Sequence, residues 1–470
     1  MQEILFHYKK IHPMNWVYLS SLLTICVYFK FSRFWSIRNL DLVGLILFAP
    51  GLVLVAYSMV ATGDTTVQTA IGQIGYIWLF GIGGLFLVRM LMDSMMVRRP
   101  LLEPNLSVGG MTFLGISLLL FLMANVANSG PAELDPQAPA RVAAASENVE
   151  GNEAAAAEDT PAVTAMKLEK SGLEKYGPRN PLLSLLPEIS TQNFFVSGIQ
   201  GSSQSIDRLS DPRRITAAKS IAILSHLAVV FGMVLIGYRH FDNIKTGIAA
   251  AVLYLLIPYT AEMTGRVAHV LPAALLVWAV VTYRRPMIAG IFLGLSIGVI
   301  YYPLFLLPLW ISFYWQRGVV RFCGGIAIAL AVSIGIVAFY SSNDAFMADV
   351  QQMLGIATPK LKNLEGFWKH LDAVYRLPVI ATFVALGGSF AIWPPQKNLG
   401  TLMSCTAAMM LGCQFWNAHG GGLYMAWYLP LLLLTIFRPN LEDRTAVNAL
   451  SEGWVSRRRL VGGAHGEAAT

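Results

Sequence analysis

Charged residues are scarce in this chain of 470 residues. Asp, Glu, Lys and Arg make up 13% of the sequence, and hydrophobic residues make up 55%. A soluble globular domain usually carries about 25% charged residues. The low charge content, with repeated apolar runs of roughly 17–25 residues, indicates a polytopic membrane protein rather than a large soluble one. The net charge of +7 is then explained by Lys and Arg in cytoplasmic loops, so we expect no nucleic-acid partner.

Cysteine is also rare, and the short motifs of soluble enzymes are missing. The four cysteines, Cys26, Cys323, Cys405 and Cys413, form neither a disulfide framework nor a CxxC metal site. We find no GxGxxG after a strand, no GxxxxGKS or GxxxxGKT, no HExxH and no GxSxG. The sequence therefore predicts no cofactor, and it gives no support for a metal ion.

The apolar runs predict an all-α fold with about 13 transmembrane helices. The predicted regions are three spans in residues 1–110, a fourth span at 111–127, a loop at 128–215, a central membrane core at 216–340, a loop at 341–375, C-terminal spans at 376–437 and a basic tail at 438–470. Basic residues are concentrated in the short loops at 238–245, 283–286 and 315–321 and in the tail. Because such loops stay in the cytoplasm, we predict a multi-pass protein of the cytoplasmic (inner) membrane with a cytoplasmic C-terminus and both long loops outside.

The first long loop has two kinds of sequence. Residues 128–175 are rich in Ala, Glu and Pro and lack an apolar pattern, which predicts an extracytoplasmic segment that is disordered to about residue 175. From Tyr176 onward, apolar and aromatic residues return, and we expect this part to be ordered along the membrane face. The stretch SDPRRITAAKS predicts a helix that begins at Pro212.

Ionisable side chains beside membrane spans are the first candidates for function. In PYTAEMTGRVAHVLP, residues 258–272, Glu262, Arg266 and His269 are spaced four and three apart, so a continuous helix would place them on one face. One hypothesis is that Glu262 and Arg266 pair in the headgroup region and fix a tight helical hairpin. The other is an anion site in which Arg266 offers its donor fork to a phosphate, with help from His269.

Two further histidines and several acids are weaker candidates. His226 is predicted to be a neutral histidine bonded to another helix rather than a proton relay. His419 precedes three glycines, which suit either a ligand-binding loop or a tight turn. The aromatic residues after it, Tyr424, Trp427 and Tyr428, suit either an interfacial belt or a sugar platform. The candidates for one general base, each also explained as an ordinary surface acid, are Glu133, Asp135, Asp207 and Asp211.

The run AGIFLGLSIGVIYYPLFLLPLW, residues 289–310, has the length of a membrane span but contains Pro303 and Pro308. A proline inside a helix removes a backbone hydrogen bond, which lipid does not replace. We therefore predict that one helix ends and the next begins there, with little loop between them.

Residues 206–315 resemble the central part of the GT-C superfamily, the polytopic glycosyltransferases that use lipid-linked sugar donors. The resemblance is carried by DPRRITAAKSIAILSHLAVVFGMVLIGYRHF, by TGIAAAVLYLLIPYTAEMTGRVAHVLPAALLVWAVV and by YRRPMIAGIFLGLSIGVIYYPLFLLPLW. The closing YMAWYLPLLLL is similar to the last helix of many members.

The resemblance implies a GT-C-like core and transfer of a sugar from a polyprenyl-phosphate donor at the outer face of the membrane. Broken helices near that face would leave room for the donor. The substrate-binding candidates are Glu262, Arg266, His269, Tyr302 and His419. If the fourth span corresponds to the first span of the family, Glu133 and Asp135 occupy the place of the family's acidic motif, and the three N-terminal spans are an addition. The expected partners are a lipid-linked sugar donor and membrane lipids.

Two alternatives belong to other functional classes. A transporter or flippase of lipid-linked or amphipathic solutes would share the cavity but need no base. A non-catalytic membrane scaffold would need neither the cavity nor the base.

Overall fold

The computed structural model describes residues 13–60, 65–96, 104–128, 181–184, 212–341, 345–356, 364, 366–418, 420–441 and 444–451. Within these ranges the regular structure is helical, apart from an isolated β-bridge between Asn398 and Thr445. The predicted all-α class is therefore confirmed. The acidic stretch of the first long loop and the end of the basic tail lie outside the described residues.

The helices, numbered in chain order, are α1 (Pro13–Tyr28), α2 (Ile37–Val60), α3 (Thr65–Leu91), α4 (Val108–Asn128), α5 (Pro181–Ser184), α6 (Pro212–Arg239), α7 (Ile244–Leu256), α8 (Pro258–Glu262), α9 (Val267–Val281), α10 (Pro286–Val299), α11 (Leu307–Tyr314), α12 (Val319–Tyr340), α13 (Phe346–Leu354), α14 (Arg376–Ser389), α15 (Leu399–Trp416), α16 (Leu429–Phe437) and α17 (Ala446–Ser451). Short 3₁₀ helices cover Phe31–Arg33, Met92–Met95, Tyr302–Leu306, Gly366–His370, Ala373–Tyr375 and Met425–Trp427.

Five of the described helices, α2, α3, α4, α6 and α12, are long and apolar enough to cross a membrane. Several others, including α1, α7, α9 and α10, are apolar but shorter, with 10–17 residues. These helices indicate a membrane-embedded protein. The number of thirteen crossings stays a prediction.

Pro212, Pro303 and Pro308 lie at helix boundaries, as predicted from the sequence. Helix α6 begins at Pro212. Helix α10 ends at Val299, a 3₁₀ turn contains Pro303, and α11 begins with Pro308 in its first turn. The break occurs there because neither proline has an N–H to continue a helical ladder.

Helices α10 and α12 pack backbone against backbone. A methyl group on Gly290 would collide with the carbonyl group of Phe322, and one on Gly325 would collide with the carbonyl group of Met287. Small residues at such positions allow apolar helices to approach closely and gain van der Waals contact. The two helices therefore form a tight pair directly beside the proline break.

The connections between helices meet at two ends of the bundle. One, which we call the basic end, contains the described residues of the connections at 28–37, 92–96, 104–107, 239–244, 438–441 and 444–446. Its linking contacts are Lys30 with Asn105, Asp93 with Arg438, and Asp242 with Arg444. The other, which we call the aromatic end, joins residues 257–268, 366–376 and 415–428. Its linking contacts are Trp427 with Ala268, Trp368 with Phe415, and Arg376 with Trp416.

A buried ion network lies at the basic end. Arg89 pairs with Asp41 at 3.2 Å and with Asp93 at 3.0 Å, and the Nε atom of Arg438 donates to Asp93 over 3.0 Å. The four side chains are at most 12% exposed. Charged groups in such surroundings are stable only when paired, so the network joins α2 and α3 to the end of α16.

Candidate functional site

The segment that carries Glu262, Arg266 and His269 is a broken helix. Helix α8 ends at Glu262, and α9 begins at Val267 with Arg266 in an extended conformation before it. The hydroxyl group of Thr264 donates to the carbonyl groups of Thr260 and Ala261 in the break. The three side chains therefore do not share a continuous helical face. Arg266 nevertheless lies near enough to both Glu262 and His269 for its charge to act on each of them.

Glu262 is a buried carboxyl group that lies between the apolar helices. Burial raises its pKa to about 8, although the charge of Arg266 partly opposes the shift. At neutral pH the carboxyl group is therefore mainly protonated and can donate a hydrogen bond. The side chain of Arg266 is half-buried and makes no ion pair or hydrogen bond within the described part of the chain. The predicted headgroup pair with Glu262 is not formed there.

The proton of His269 is placed by its neighbours. The hydroxyl group of Tyr259 lies 2.7 Å from Nδ1 of His269. A phenol hydroxyl group can donate its hydrogen to the unprotonated nitrogen of a neutral imidazole ring. Nδ1 then accepts, and Nε2 carries the ring proton as a donor. Arg266 and His269 are thus both potential donors at the aromatic end of the bundle.

A row of aromatic side chains continues from His269 across the aromatic end. Ring centroids are 4.5 Å apart between His269 and Tyr424, 4.5 Å between Tyr424 and Trp427, 5.2 Å between Trp427 and Tyr302, and 5.3 Å between Tyr302 and Trp416. We call these five residues the aromatic row. The indole of Trp427 is fixed by a 3.0 Å hydrogen bond to the carbonyl group of Ala268.

The glycine-rich segment before Tyr424 is a tight turn. Gly420 and Gly422 have φ angles of 60° and 94°, which residues other than glycine rarely adopt. Oε1 of Gln414 accepts hydrogen bonds from the backbone N–H groups of Gly422 and Tyr424, both at 3.2 Å. The glycine turn thus holds Tyr424 of the aromatic row beside α15. Of the two alternatives, a ligand-binding loop and a tight turn, this geometry is the tight turn. His419 lies outside the described residues.

Arg376 is a residue of the site that sequence reasoning missed. It is 3% exposed at the start of α14, its Nε atom donates to the carbonyl group of Trp416 over 2.6 Å, and its guanidinium lies 5.8 Å from the centre of the indole ring. The ring of Tyr301, also missed, lies 4.2 Å from that of Tyr302 in a tilted arrangement. The sequence did contain one indication of Arg376: it stands directly before an apolar run, on the side of the predicted spans where few other basic residues occur.

His226 has the structural role that was predicted for it. Its Nε2 atom lies 3.0 Å from the carbonyl oxygen of Thr264, and its Nδ1 atom lies 3.1 Å from the hydroxyl group of Tyr254. Because a carbonyl group only accepts, Nε2 donates and Nδ1 accepts, which is the neutral form of the ring. The predicted hydrogen bond of His226 to another helix is confirmed by its contact with Tyr254 on α7.

The structure thus brings Glu262, Arg266, His269 and Tyr302 to one end of the bundle. The other candidates, Glu133, Asp135, Asp207, Asp211 and His419, lie outside the described residues. In the part that is described, no group of three His, Cys, Asp or Glu side chains could hold a metal ion.

Comparisons of the chain with protein-family models, curated proteins and solved structures find no match.

Proposed function

We propose that this chain is a GT-C-like glycosyltransferase of the cytoplasmic membrane that takes a sugar from a polyprenyl-phosphate donor at the outer face. The observation that supports this function is the meeting of phosphate-type donors, Arg266 and His269, with a stacked aromatic row at one end of the bundle. Cations and N–H donors suit a phosphate group, and aromatic faces suit the apolar face of a sugar.

The proposed topology places the aromatic end outside. Thirteen segments would cross the membrane: α1, α2, α3, α4, α6, α7, α9, α10, α11 with the 3₁₀ turn before it, α12, α14, α15 and α16. The described basic residues at the basic end are Lys30, Arg33, Arg38, Arg89, Arg239, Lys245, Arg284, Arg285, Arg317, Arg321, Lys397, Arg438 and Arg444, against the acids Asp41, Asp93 and Asp242. This excess of positive charge favours a cytoplasmic location for that end.

In the proposed reaction, an acceptor hydroxyl attacks the anomeric carbon of the donor sugar. One carboxylate among Glu133, Asp135, Asp207 and Asp211 takes the hydroxyl proton, and the bond from the anomeric carbon to the phosphate oxygen breaks. Polyprenyl phosphate leaves with an additional negative charge. Arg266, the Nε2–H group of His269 and the protonated carboxyl group of Glu262 would stabilise that charge.

The test uses the purified full chain in nanodiscs, supplied with polyprenyl phosphates that carry radiolabelled sugars and with membrane extract as acceptor. Arg266→Ala should weaken donor binding about 10- to 100-fold, since a hydrogen bond to a charged group contributes about 1.5–3 kcal/mol. Arg317→Ala removes an exposed charge at the opposite end and should leave binding unchanged. Replacing the true base among the four acids should stop transfer without weakening donor binding.

Full transfer by Arg266→Ala and by all four acid variants would exclude the proposed site. Donor binding without transfer, together with movement of the unmodified lipid across vesicles, would favour the transporter. Absence of both binding and transfer would favour the scaffold.

A further inference from the structure

The connection between α1 and α2, which we call the aromatic loop (residues 29–38), presents exposed aromatic rings at the basic end. Phe31, Phe34 and Trp35 are 71%, 54% and 80% exposed. The ring centroids of Phe31 and Phe34 lie 5.1 Å and 5.4 Å from that of the buried Phe29. The centroid of Trp35 lies 5.4 Å from that of Phe34. A group of neighbouring exposed apolar side chains marks a surface that binds a partner or a membrane.

One side-chain amide, that of Asn39, fixes the backbone of the aromatic loop. Its Nδ2 atom donates to the carbonyl groups of Lys30, Arg33 and Phe34 over 2.9, 3.0 and 3.2 Å. Its Oδ1 atom accepts a hydrogen bond from the backbone N–H group of Lys30 over 3.2 Å. The rings are therefore presented by an ordered turn, which lowers the entropy cost of binding.

The aromatic loop carries basic residues and no acidic one. Its sequence, FKFSRFWSIR, contains Lys30, Arg33 and Arg38. The side chain of Arg33 is exposed and makes no ion pair or hydrogen bond with any residue that the structure describes. The nearest acid along the chain, Asp41, is buried and pairs with Arg89. The positive charge of the loop is therefore suited to an anionic surface.

The position of the aromatic loop favours a membrane surface over a soluble partner. The loop joins two apolar helices, and the second, α2, is long enough to cross a membrane. Leu40 and Val43 lie about one turn apart on α2 and are 49% and 40% exposed, so an apolar outer surface begins directly after the loop. A loop between apolar spans lies where the hydrocarbon core of the bilayer meets the headgroups.

Exposed aromatic residues recur beside basic residues at this end of the bundle. Tyr238, which is 65% exposed, precedes Arg239 at the end of α6. Trp315, which is 71% exposed, stands two residues before Arg317. Tyr and Trp are enriched where membranes meet water. A lipid layer contacts all three connections at once, whereas a protein partner on the aromatic loop would leave the other two uncovered.

We propose that the aromatic loop is a membrane-interface anchor that binds anionic phospholipid headgroups. Arg33 binds the phosphate, because its planar N–H fork matches two phosphate oxygens. The rings of Phe31, Phe34 and Trp35 lie at the level of the glycerol and the upper acyl groups, where amphipathic rings are most favourable. The anchor fixes the depth of α1 and α2 in the leaflet at the basic end. It is independent of the glycosyltransferase proposal.

Trp35 is a probe within the proposed anchor. The full chain is reconstituted in bilayers of phosphatidylcholine and phosphatidylglycerol in which one of the two lipids is brominated near the headgroup end of its acyl chains. Since Trp35 is one of 11 tryptophans, the fluorescence of Trp35→Phe is subtracted from that of the wild type. We expect bromine on phosphatidylglycerol to quench Trp35 more strongly than bromine on phosphatidylcholine.

Arg33→Ala should lower the preference of this position for phosphatidylglycerol about fivefold, since one basic residue at an anionic surface contributes about 1 kcal/mol. Arg321→Ala, which removes an exposed charge at the start of α12, is the matched control and should leave the quenching of Trp35 unchanged. Arg33 and Trp35 are exposed, so neither variant removes a buried side chain, and size-exclusion chromatography checks that each keeps the fold.

Equal quenching of Trp35 by the two brominated lipids would overturn the proposal, as would equal effects of Arg33→Ala and Arg321→Ala. Quenching by acrylamide in the water and by neither lipid would also overturn it, because the loop would then lie outside the membrane. Protection from acrylamide and from both lipids would overturn it in favour of a protein partner or a second copy of the chain.

Discussion

Replacement of Glu262 by glutamine should abolish a decrease in the free energy of unfolding that the wild-type protein shows as the pH rises. The buried carboxyl group has a pKa of about 8, against 4.5 for a solvated glutamate. Below about pH 4.5 the group is protonated in the folded and the unfolded chain, and its burial costs little. As the pH rises, the unfolded chain loses this proton first, so the folded state loses stability until the buried group also ionises near pH 8.

The size of the step follows from the two pKa values. Each tenfold change in proton affinity corresponds to about 1.4 kcal/mol, so the full difference corresponds to about 5 kcal/mol between pH 4.5 and pH 8. Glutamine has nearly the same shape and stays neutral, so the variant should not show the loss. Wild type and Glu262→Gln should be equally stable near pH 4.5, and the variant should be more stable at pH 8.

Thermal unfolding in mild detergent, followed by tryptophan fluorescence between pH 4.5 and pH 9, measures the difference. Asp372→Asn, which changes an exposed carboxylate at the same end, should follow the wild-type curve. In Arg266→Ala the loss of stability should continue to higher pH, because the arginine lowers the pKa of Glu262. Parallel curves for wild type and Glu262→Gln across the whole range would refute the reasoning.

Three other substitutions test the packing of the bundle by the same thermal assay. Gly325→Ala should destabilise the protein by about 1–3 kcal/mol, because the new methyl group meets the backbone of Met287, whereas Gly324→Ala, with nothing within 4 Å of its Cβ position, should be neutral or slightly stabilising. Asp93→Ala should cost about 3–5 kcal/mol, since it leaves two buried arginines without this carboxylate, and a loss below 1 kcal/mol would contradict the role of the ion network. Trp416→Phe removes buried ring atoms but no hydrogen bond, because the indole N–H has no partner in the described chain; it should cost about 1–3 kcal/mol through packing, and a loss above about 4 kcal/mol would contradict this account.

The helices were predictable from the sequence because long apolar runs and prolines act locally. The break around Pro303 and Pro308 follows from missing backbone N–H groups, and the positions of these prolines can be read from the sequence itself. The break between Glu262 and Val267 was not predictable in this way, since the spacing of Glu262, Arg266 and His269 also fits an unbroken helix. Its signal was Thr264 with the following glycine, and the hydroxyl bonds of that threonine became visible only in three dimensions.

The candidate site was predictable in part. Arg266 and His269 stand out as ionisable groups beside apolar runs, and the aromatic residues after the glycine turn were recognised as either a belt or a platform. The contact of Tyr302 with Trp416, and of Trp416 with Arg376, joins three separate parts of the chain. Contacts between residues so distant in the sequence leave no local spacing pattern, so the part of the aromatic row formed by Tyr302 and Trp416 could be recognised only from the folded structure. The identity of the base stays a prediction.

The ion network at the basic end bears on how the protein is made. Asp93 is neutralised in part by Arg438, which is separated from it by 345 residues and follows the last apolar helix. While the chain is being synthesised, Asp41 and Asp93 share Arg89 alone within the network. A chain that stops before α16 would lack the hydrogen bonds that Arg438 donates to Asp93. The last apolar helix therefore contributes to the ion network only after the whole membrane region has been synthesised, so this end of the bundle is completed late.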